Sequence, residues 1–403
     1  MQTDPRLRTG PLSQIPRGIW MLGFVSMFMD ISSEINHSLL PMFLVTSLGA
    51  SAMMVGLIEG VAEATTSIVK TFSGVFSGYL GNRKWLAVVG YGMGALSKPL
   101  FALAPTAGFV LTARVADRIG KGVRGAPRDA LVADITPSHL RGAAYGFRQS
   151  LDTVGAFLGP VLAVVLMLLW ADNFRFVFWV AVIPGVIAVA LLIFGIKEPT
   201  NHTTAKRVNP LKLDNLKKLT RQYWWVVFIG AAFALARFSE AFLVLRAMQG
   251  GIPVALVPLV MVAMNLVCAA SAYPFGKLAD SMSHTKLLAI GLVVLIAADV
   301  VLAYGGHWPV VLLGVALWGL HMGLTQGLLA TMVAHSAPAD LKGTAFGFFN
   351  LMSGLAILIA SVVAGELWDR MGAAATFYAG ASFCLLTLCV LAIGTGLREN
   401  NAV

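Results

Sequence analysis

Three ionisable residues near the start of the chain have the spacing of one helix face within a largely apolar stretch. Asp30, Glu34 and His37 stand at positions i, i+4 and i+7, which places them on one side of a helix. A buried carboxyl group suits proton transfer, because desolvation favours the neutral acid whereas an approaching cation favours the ionised form. We therefore expect Asp30 and Glu34 to bind and release protons. The three side chains could alternatively bind a divalent metal ion.

A second stretch concentrates charge where the surrounding sequence is apolar. Between Arg114 and Asp134 the chain carries five basic and three acidic residues. The basic residues share one broad helix face with Asp117; they are Arg114, Arg118, Lys121, Arg124 and Arg128. Each charge facing lipid at mid-membrane would cost about 2.5–3.5 kcal/mol. This face must therefore line water or pair with acids of neighbouring helices, and Arg114 and Arg118 are either substrate ligands or fixed ion pairs.

Other apolar segments supply polar residues that could complete a cavity. Glu59 and Glu63 share a helix face with Lys70, which could neutralise one of them, and we expect Glu63 to join Asp30 and Glu34 as a proton carrier. The residues expected to line a substrate cavity are His37, Glu59, Arg114, Arg118, Arg237, Glu240, His321 and Gln326. For His37 and His321 the alternative is a packing role.

The composition indicates the solvent in which these residues work. Hydrophobic residues make up 58% and charged residues 12% of the 403 positions, with a mean hydropathy of +0.80. Soluble domains carry about twice that charged fraction, and apolar runs of about 20 residues, long enough to cross a bilayer, recur throughout. We predict an all-α membrane protein with twelve spans, at about 18–46, 52–79, 86–105, 107–133, 142–169, 174–195, 223–247, 253–278, 286–305, 308–334, 343–365 and 373–396.

A polar segment at mid-chain divides these spans into two sets of six. It predicts an N-terminal half at 1–196, an amphipathic linker at 197–222 and a C-terminal half at 223–403. "TPSHLRGAAYGF" at 136–147 and "APADLKGTAFGF" at 337–348 are identical at six of twelve positions. This similarity indicates that the halves are parallel repeats, an arrangement that places a transporter's substrate site between them.

Basic residues in the connections orient the chain in the membrane. The linker is rich in lysine and arginine, whereas the loops at 47–51, at Pro105 and at 305–309 have neither. By the positive-inside rule both termini and the linker are cytoplasmic, as expected for a multi-pass protein of the cytoplasmic (inner) membrane. The net charge of +10 is spread over these loops, so no nucleic-acid partner is expected.

Several motifs resemble those of the major facilitator superfamily, and the resemblance covers essentially the whole chain. "GYLGNRK" and "GKLADSM" are similar to the family's loops between helices two and three and between eight and nine, with Asn82 where the first motif usually has an acid. "DRIGKG" resembles a motif of the fourth helix. "DTVGAFLGPVLA" resembles the glycine–proline element of the family's antiporters. "DISSEINHSLLPMFL" looks like the first helix of an exporter subgroup.

The resemblance implies a fold of six plus six helices in which helices one, four, seven and ten line a central cavity. It also implies gating or motif roles for several residues. Together with Arg148 and Asp152, which we expect to form a lock between helices, these residues are Gly78, Asn82, Arg83, Asp117, Gly122, Arg124, Gly155, Gly159, Pro160 and Asp280.

The expected function is proton-coupled export, by alternating access, of a small charged or zwitterionic solute. The alternative is proton-coupled uptake of an organic anion or a metal chelate bound by Arg114, Arg118 and Arg237. No catalytic or nucleotide-binding motif occurs in the sequence, so neither an enzyme nor a cofactor is expected. The expected partners are the substrate, protons and the lipid bilayer, and the expected state is a monomer. Asp299, alone in the ninth span, has no role in this scheme.

Overall fold

The computed structural model describes residues 15–80, 82–197, 216–325, 327–338 and 341–400, without the side chains at 74–80, 279–280 and 394–400. Its helices are α1 (Arg17–Met42), α2 (Ala52–Leu80), α3 (Arg83–Leu103), α4 (Ala107–Ile135), α5 (Arg141–Leu169), α6a (Phe174–Val180), α6b (Val182–Gly195), α7a (Arg221–Ala236), α7b (Ala241–Gln249), α8 (Leu259–Ser281), α9 (His284–Tyr304), α10a (Trp308–Thr325), α10b (Leu328–Ser336), α11 (Lys342–Met371) and α12 (Ala373–Asn400). Within the described residues no strand occurs, and the predicted all-α class is confirmed.

The helices have the length and composition that a bilayer requires. Among the described residues, eleven segments are long and apolar enough to cross a membrane. α4 is absent from that set because of its charges, although its 29 residues are long enough to span. Counting α4 gives the twelve predicted spans. Large apolar side chains such as Leu96 and Phe194 are exposed on the outer surface, as expected where lipid covers the protein.

Polar residues fix where several helices begin. The Thr106 hydroxyl accepts a hydrogen bond from the Phe109 amide at the start of α4, and Thr220 does the same for Tyr223 at the start of α7a. Such caps satisfy amide groups that have no partner within the helix. Helix starts are therefore set by loop residues rather than by the ends of the apolar runs.

Three of the predicted spans each consist of two helices separated by a break. The sixth breaks at Ala181, three residues before Pro184, because proline disrupts the preceding helical turn. The seventh breaks between α7a and α7b, where the Ser239 amide instead donates to the Ser361 hydroxyl at 3.2 Å. The tenth breaks before α10b, where Gly327 adopts a positive φ of 77° that glycine tolerates.

Helix packing places α4 inside the bundle. α4 packs against α2 and α3, while α1 packs against α5 and α6b. A Cβ at Gly120 would lie 2.7 Å from the Gly90 carbonyl oxygen, and one at Gly122 would lie 2.6 Å from Val69 Cβ. These glycines therefore allow the close approach of α4 to α3 and α2.

The helices before and after the linker meet along α2 and α11. We call the side where α6b ends and α7a begins the linker side, and the opposite side the far side. At the far side, the two Asp369 carboxylate oxygens of α11 accept hydrogen bonds from the Ala52 and Met53 amides at the start of α2, at 2.9 and 2.8 Å. A Cβ at Gly365 would lie 2.5 Å from the Ala52 carbonyl oxygen. The two sets of helices are therefore in direct contact at the far side.

Candidate functional site

A cavity of about 420 Å³ lies between the two sets of helices. Its wall combines α1, α2, α4 and α5 with the break in α7, α8 and α11. The ionisable residues that line it are Glu34, His37, Glu59, Glu63, Arg118, Lys121, Arg237 and Glu240. Acidic and basic side chains therefore face one water-accessible space. A binding site for a neutral apolar ligand would not require such charged walls.

Arginines of α4 pair with glutamates of α2 in this wall. Arg114 Nη2 lies 2.7 Å from Glu59 Oε2, with both side chains only 2% exposed. One turn along, Arg118 Nη2 lies 3.3 Å from Glu63 Oε1, and the Glu63 side chain is 41% exposed. The first pair is thus buried, and Arg114 lies behind the wall rather than lining the cavity as predicted, whereas the second pair presents its carboxylate to the cavity. Lys70 is exposed, and the arginines rather than Lys70 neutralise these acids.

His37 joins the acids of α1 and α2. Its Nδ1 lies 3.4 Å from Glu34 Oε2, and its Nε2 lies 3.8 Å from Glu59 Oε2. Whichever ring nitrogen carries the proton can donate toward a carboxylate. His37 therefore links Glu34 at the cavity to the buried Glu59–Arg114 pair.

A lysine that the sequence analysis did not single out lies behind the wall. Lys98 of α3 is fully buried, and its Nζ lies 2.7 Å from Asp117 Oδ1, which also accepts a hydrogen bond from the Ser97 hydroxyl at 3.1 Å. Asp117 thus joins α4 to α3 and does not line the cavity. A single lysine inside an apolar span was a usable signal, since such a charge must find a partner.

A second network lies one to three turns toward the linker side. Arg124 of α4 stacks on Tyr91, with its Cζ 4.7 Å from the ring centroid, and its Nη2 lies 3.7 Å from Asp30 Oδ1. Arg128 approaches Asp152 of α5 at 3.8 Å, and Asp152 also pairs with Arg148 on its own helix. Arg128 additionally donates to Asp129. Of the two arrangements expected for the charged face of α4, pairing with acids therefore holds for Arg114, Arg124 and Arg128, whereas Lys121 lines the cavity.

The glycines of α5 contact the acidic turns of α1. A Cβ at Gly155 would lie 2.6 Å from the Met27 carbonyl oxygen and 3.0 Å from Asp30 Cβ, and one at Gly159 would lie 2.5 Å from Glu34 Cβ. Pro160 is buried beside them. This element therefore sets how closely α5 approaches the two predicted proton carriers.

The second set of helices contributes one ion pair to the cavity. Arg237 Nη2 lies 3.4 Å from Glu240 Oε1, and both residues stand in the break between α7a and α7b. Phe238 and Ser239 of the same break also line the cavity, together with Met261 and Asn265 of α8. An interrupted helix thus turns backbone and charged side chains toward the space between the helices, as in other transporter sites.

Other predicted site residues lie outside the cavity. His321 is fully buried, where Nδ1 lies 2.8 Å from the Gly291 carbonyl oxygen. Arg83 pairs with Asp134 and so joins α3 to α4 at the linker side, and Asn82 is exposed beside it. Gln326 lies outside the described residues, and the surroundings of Gly78 and the side chain of Asp280 are likewise outside the description.

The geometry gives no support to a metal site. Among the described residues, no three His, Cys, Asp or Glu side chains are arranged to hold a metal ion. Of the nearby carboxylates, Glu59 pairs with Arg114 and Asp30 approaches Arg124, whereas Glu34 contacts His37 itself. A site for divalent metal on Asp30, Glu34 and His37 is therefore not supported.

Lys121 also lines the cavity, although the sequence analysis placed it only on the charged face of α4. It is exposed and lines the same space as Arg118 and Glu63. Its position on the charged face of α4 was visible in the sequence, but its depth relative to the cavity was not.

Comparisons with known proteins show the family of the chain. The family model described as Major Facilitator Superfamily matches residues 22–361. An uncharacterised MFS-type transporter of Methanocaldococcus jannaschii is 31% identical over 384 residues, which cover 93% of this chain and 94% of that protein. The quinolone resistance protein NorA of Staphylococcus aureus is 21% identical over 341 residues, which cover 82% and 84% of the two chains.

A solved structure has the same fold. The crystal structure of a bacterial homologue of the human lysosomal transporter Spinster matches with a TM-score of 0.79 and 14% identity, over 94% of this chain and 96% of that chain. This likeness confirms the major facilitator fold predicted from the motifs. The family model matches most of the chain, and this multi-pass membrane protein belongs to the major facilitator superfamily of secondary transporters.

Proposed function

We propose that the protein is a proton-coupled exporter that exchanges protons for a small charged or zwitterionic solute by alternating access. The observation that carries this proposal is the pairing at the cavity wall. Glu34 lies 3.4 Å from His37, Glu63 lies 3.3 Å from Arg118, and both carboxylates are partly exposed to the cavity. A solute with a cationic group can compete with protons for these acids.

Such competition couples the two fluxes. A cation close to a carboxylate favours the ionised form of the carboxylate. When that cation leaves, partial burial of the carboxylate favours its protonated form. A solute that binds Glu34 or Glu63 therefore expels a proton, and proton binding from the other side of the membrane releases the solute. Asp30, one turn from Glu34 and 3.7 Å from Arg124, is proposed as a third carrier.

Two observations favour export over uptake. Gly155 and Gly159 pack on the turns of α1 that hold Asp30 and Glu34, and with Pro160 they form the element that resembles that of antiporters. The relative NorA is named for quinolone resistance, which fits removal of a solute from the cell. Export requires the cavity to face the cytoplasm when it loads.

We place the linker side in the cytoplasm, in the cytoplasmic (inner) membrane, with the protein as a monomer. Basic residues on this side support the orientation; they include Arg83, Lys84, Arg141, Lys277, Lys286 and Lys342. We also propose that 1–196 and 223–403 move as two halves about the cavity, joined by 197–222. Small residues such as Gly365, where α2 meets α11, support this motion, since they allow close helix contact without interlocked side chains.

Uptake of an organic anion or chelate is the second candidate. Arg118, Lys121 and Arg237 line the cavity from both sets of helices, and three cations around one space suit a carboxylate ligand. Uptake predicts that the anion and the proton enter together, so the two functions give opposite proton movements when solute is added.

The test uses inverted membrane vesicles that contain the protein and a pH-sensitive dye. With the interior made acidic, cationic drugs, zwitterionic amino compounds, organic acids, divalent metal salts and metal chelates are added in turn. Export by antiport predicts that one class collapses the gradient only when the protein is present. Two results would overturn export in favour of uptake. In the first, one class of solute drives protons into the vesicles together with itself. In the second, no solute has an effect in vesicles, but an organic anion enters whole cells in a proton-dependent manner.

A further inference from the structure

Asp299 of α9 is a carboxyl group that the cavity network does not use. It is 0% exposed, and neither carboxyl oxygen has a hydrogen-bond partner among the described residues. A charge buried without a partner is strongly disfavoured, so a group of this kind is held in its neutral form. Packing alone does not call for a carboxyl group here, since an apolar side chain would fill the same space without this cost.

The surroundings of Asp299 connect it to the break in α7. A Cβ at Gly380 of α12 would lie 2.7 Å from Asp299 Oδ2 and 2.9 Å from Phe238 Cε1, so the carboxyl group and the phenyl ring flank the same point. Phe238 in turn lines the central cavity beside Arg237 and Glu240. One aromatic side chain therefore stands between the cavity and this carboxyl group.

A hydrogen-bond donor without a partner lies in the same cluster. The Trp318 indole Nε1 is buried and has no partner among the described residues, and the Trp318 ring centroid is 5.3 Å from that of Phe238. An indole N–H is a donor that could stabilise an ionised carboxylate after a small movement. An acid and a donor thus stand beside the same ring without being paired.

The remaining neighbours carry no opposing charge. On α12, Cys384 stands one turn from Gly380 on the same face. On α10a, the His321 Nδ1 lies 2.8 Å from the Gly291 carbonyl oxygen, and its Nε2 is buried without a partner among the described residues. In the break of α7, Arg237 and Glu240 pair with each other at the cavity. No described neighbour offers Asp299 an unpaired opposite charge, so its charge state depends on access to water and on nearby donors such as the Trp318 indole.

We propose that Asp299 is a second proton-binding site, which exchanges its proton with the central cavity when the Phe238 ring moves with the break in α7. The ligand is a proton, since Gly380 packs so closely on the carboxyl group that a Cβ there would lie 2.7 Å from Oδ2, and the described residues place no set of three His, Cys, Asp or Glu side chains for a metal ion. The role of this site in transport rests on the proposed proton coupling, whereas its existence does not.

The test is infrared spectroscopy of the purified protein in lipid vesicles. Wild-type protein is expected to show a carbonyl band of a protonated carboxylic acid that is missing in Asp299→Asn. Asp172→Asn, which changes an acid in an exposed loop, is the matched control and is expected to leave this band unchanged. The band is expected to fade as the pH is raised from neutral to alkaline, as the proton leaves.

Exchange of the acid proton for deuterium tests the route. Phe238→Ala is expected to speed the shift of the Asp299 band in heavy water several-fold. Phe377→Ala, which removes a neighbouring buried ring that does not line the cavity, is expected to leave the rate close to that of the wild type.

Three results would overturn the proposal. Identical acid bands in the wild type and in Asp299→Asn would show that Asp299 is ionised. A band that neither fades with pH nor exchanges would show a permanently neutral packing group. Equal exchange rates in Phe238→Ala and in Phe377→Ala would exclude the route past Phe238. The wild-type titration needs no variant to fold, and none of these readings needs a transported solute, so failure of this site and failure of proton-coupled export are distinguishable.

Discussion

The two sides of the central cavity differ in how they hold charge. The helices before the linker supply six ionisable side chains to its wall, in a network that continues behind the wall through Arg114 and Asp117. The helices after it supply one ion pair, Arg237 and Glu240, together with uncharged side chains such as Phe238, Met261 and Asn265. Charged side chains whose ion pairs join several helices are fixed in position, whereas an ion pair at a helix break can move with that break. We therefore assign proton binding at the cavity wall mainly to the first set of helices.

Removal of one arginine from each side is expected to separate the two regions most strongly. Arg114→Ala leaves Glu59 and Asp117 buried without this cation, and the loss in the free energy of unfolding is expected to be about 3–5 kcal/mol. Arg237→Ala breaks a partly exposed pair, which is worth less than about 1 kcal/mol. Thermal unfolding in detergent measures both variants. Equal losses would show that the two networks do not differ in burial.

A methyl group between α1 and α5 is expected to have a smaller effect. Gly159→Ala places a Cβ against Glu34, and the resulting overpacking costs about 1–3 kcal/mol. Gly146→Ala, on the same helix with open space around it, is the control and is expected to be neutral or to stabilise by up to about 1 kcal/mol. The same unfolding assay applies. Two neutral substitutions would mean that the contact of α5 with α1 is loose.

The smallest expected effect is on the contact that joins the two regions at the far side. Asp369→Asn removes the charge that caps the start of α2, at a cost of about 1 kcal/mol. Opening of the far side should then increase a few-fold. The measurement is labelling of Met261→Cys, in a background without the native cysteines, by a membrane-impermeant thiol reagent added to whole cells.

The control for this experiment lies one turn away on the same helix. Glu366 pairs with Arg370 on α11 itself, so Glu366→Gln is expected to leave the labelling unchanged. Equal labelling in Asp369→Asn and in the protein with Met261→Cys alone would show that the cap does not hold the far side closed.

The sequence predicted the charged network better than the cavity. The cost of lipid-facing charge predicted that the basic face of α4 lines water or meets acids of neighbouring helices, and Arg118 and Arg124 do lie beside Glu63 and Asp30, although the sequence did not assign these partners. It could not show that the break in α7 brings Arg237 to the cavity while His321 remains buried, because residues 235–240 contain no glycine or proline and the break depends on Ser361 of a distant helix. Whether a polar residue faces the cavity depends on helix rotation, which a single sequence fixes only within a broad face.

The central claim, that acids of the first set of helices couple transport to protons, is tested most directly by solute-driven proton movement in inverted vesicles. Asp30→Asn and Glu240→Gln each remove one carboxylate, from opposite sides of the bundle, and both should be expressed at the wild-type level. Asp30→Asn is expected to abolish the coupled flux, and Glu240→Gln to retain it with weaker solute binding. Flux like that of the wild type in Asp30→Asn would contradict the claim and remove Asp30 from the mechanism.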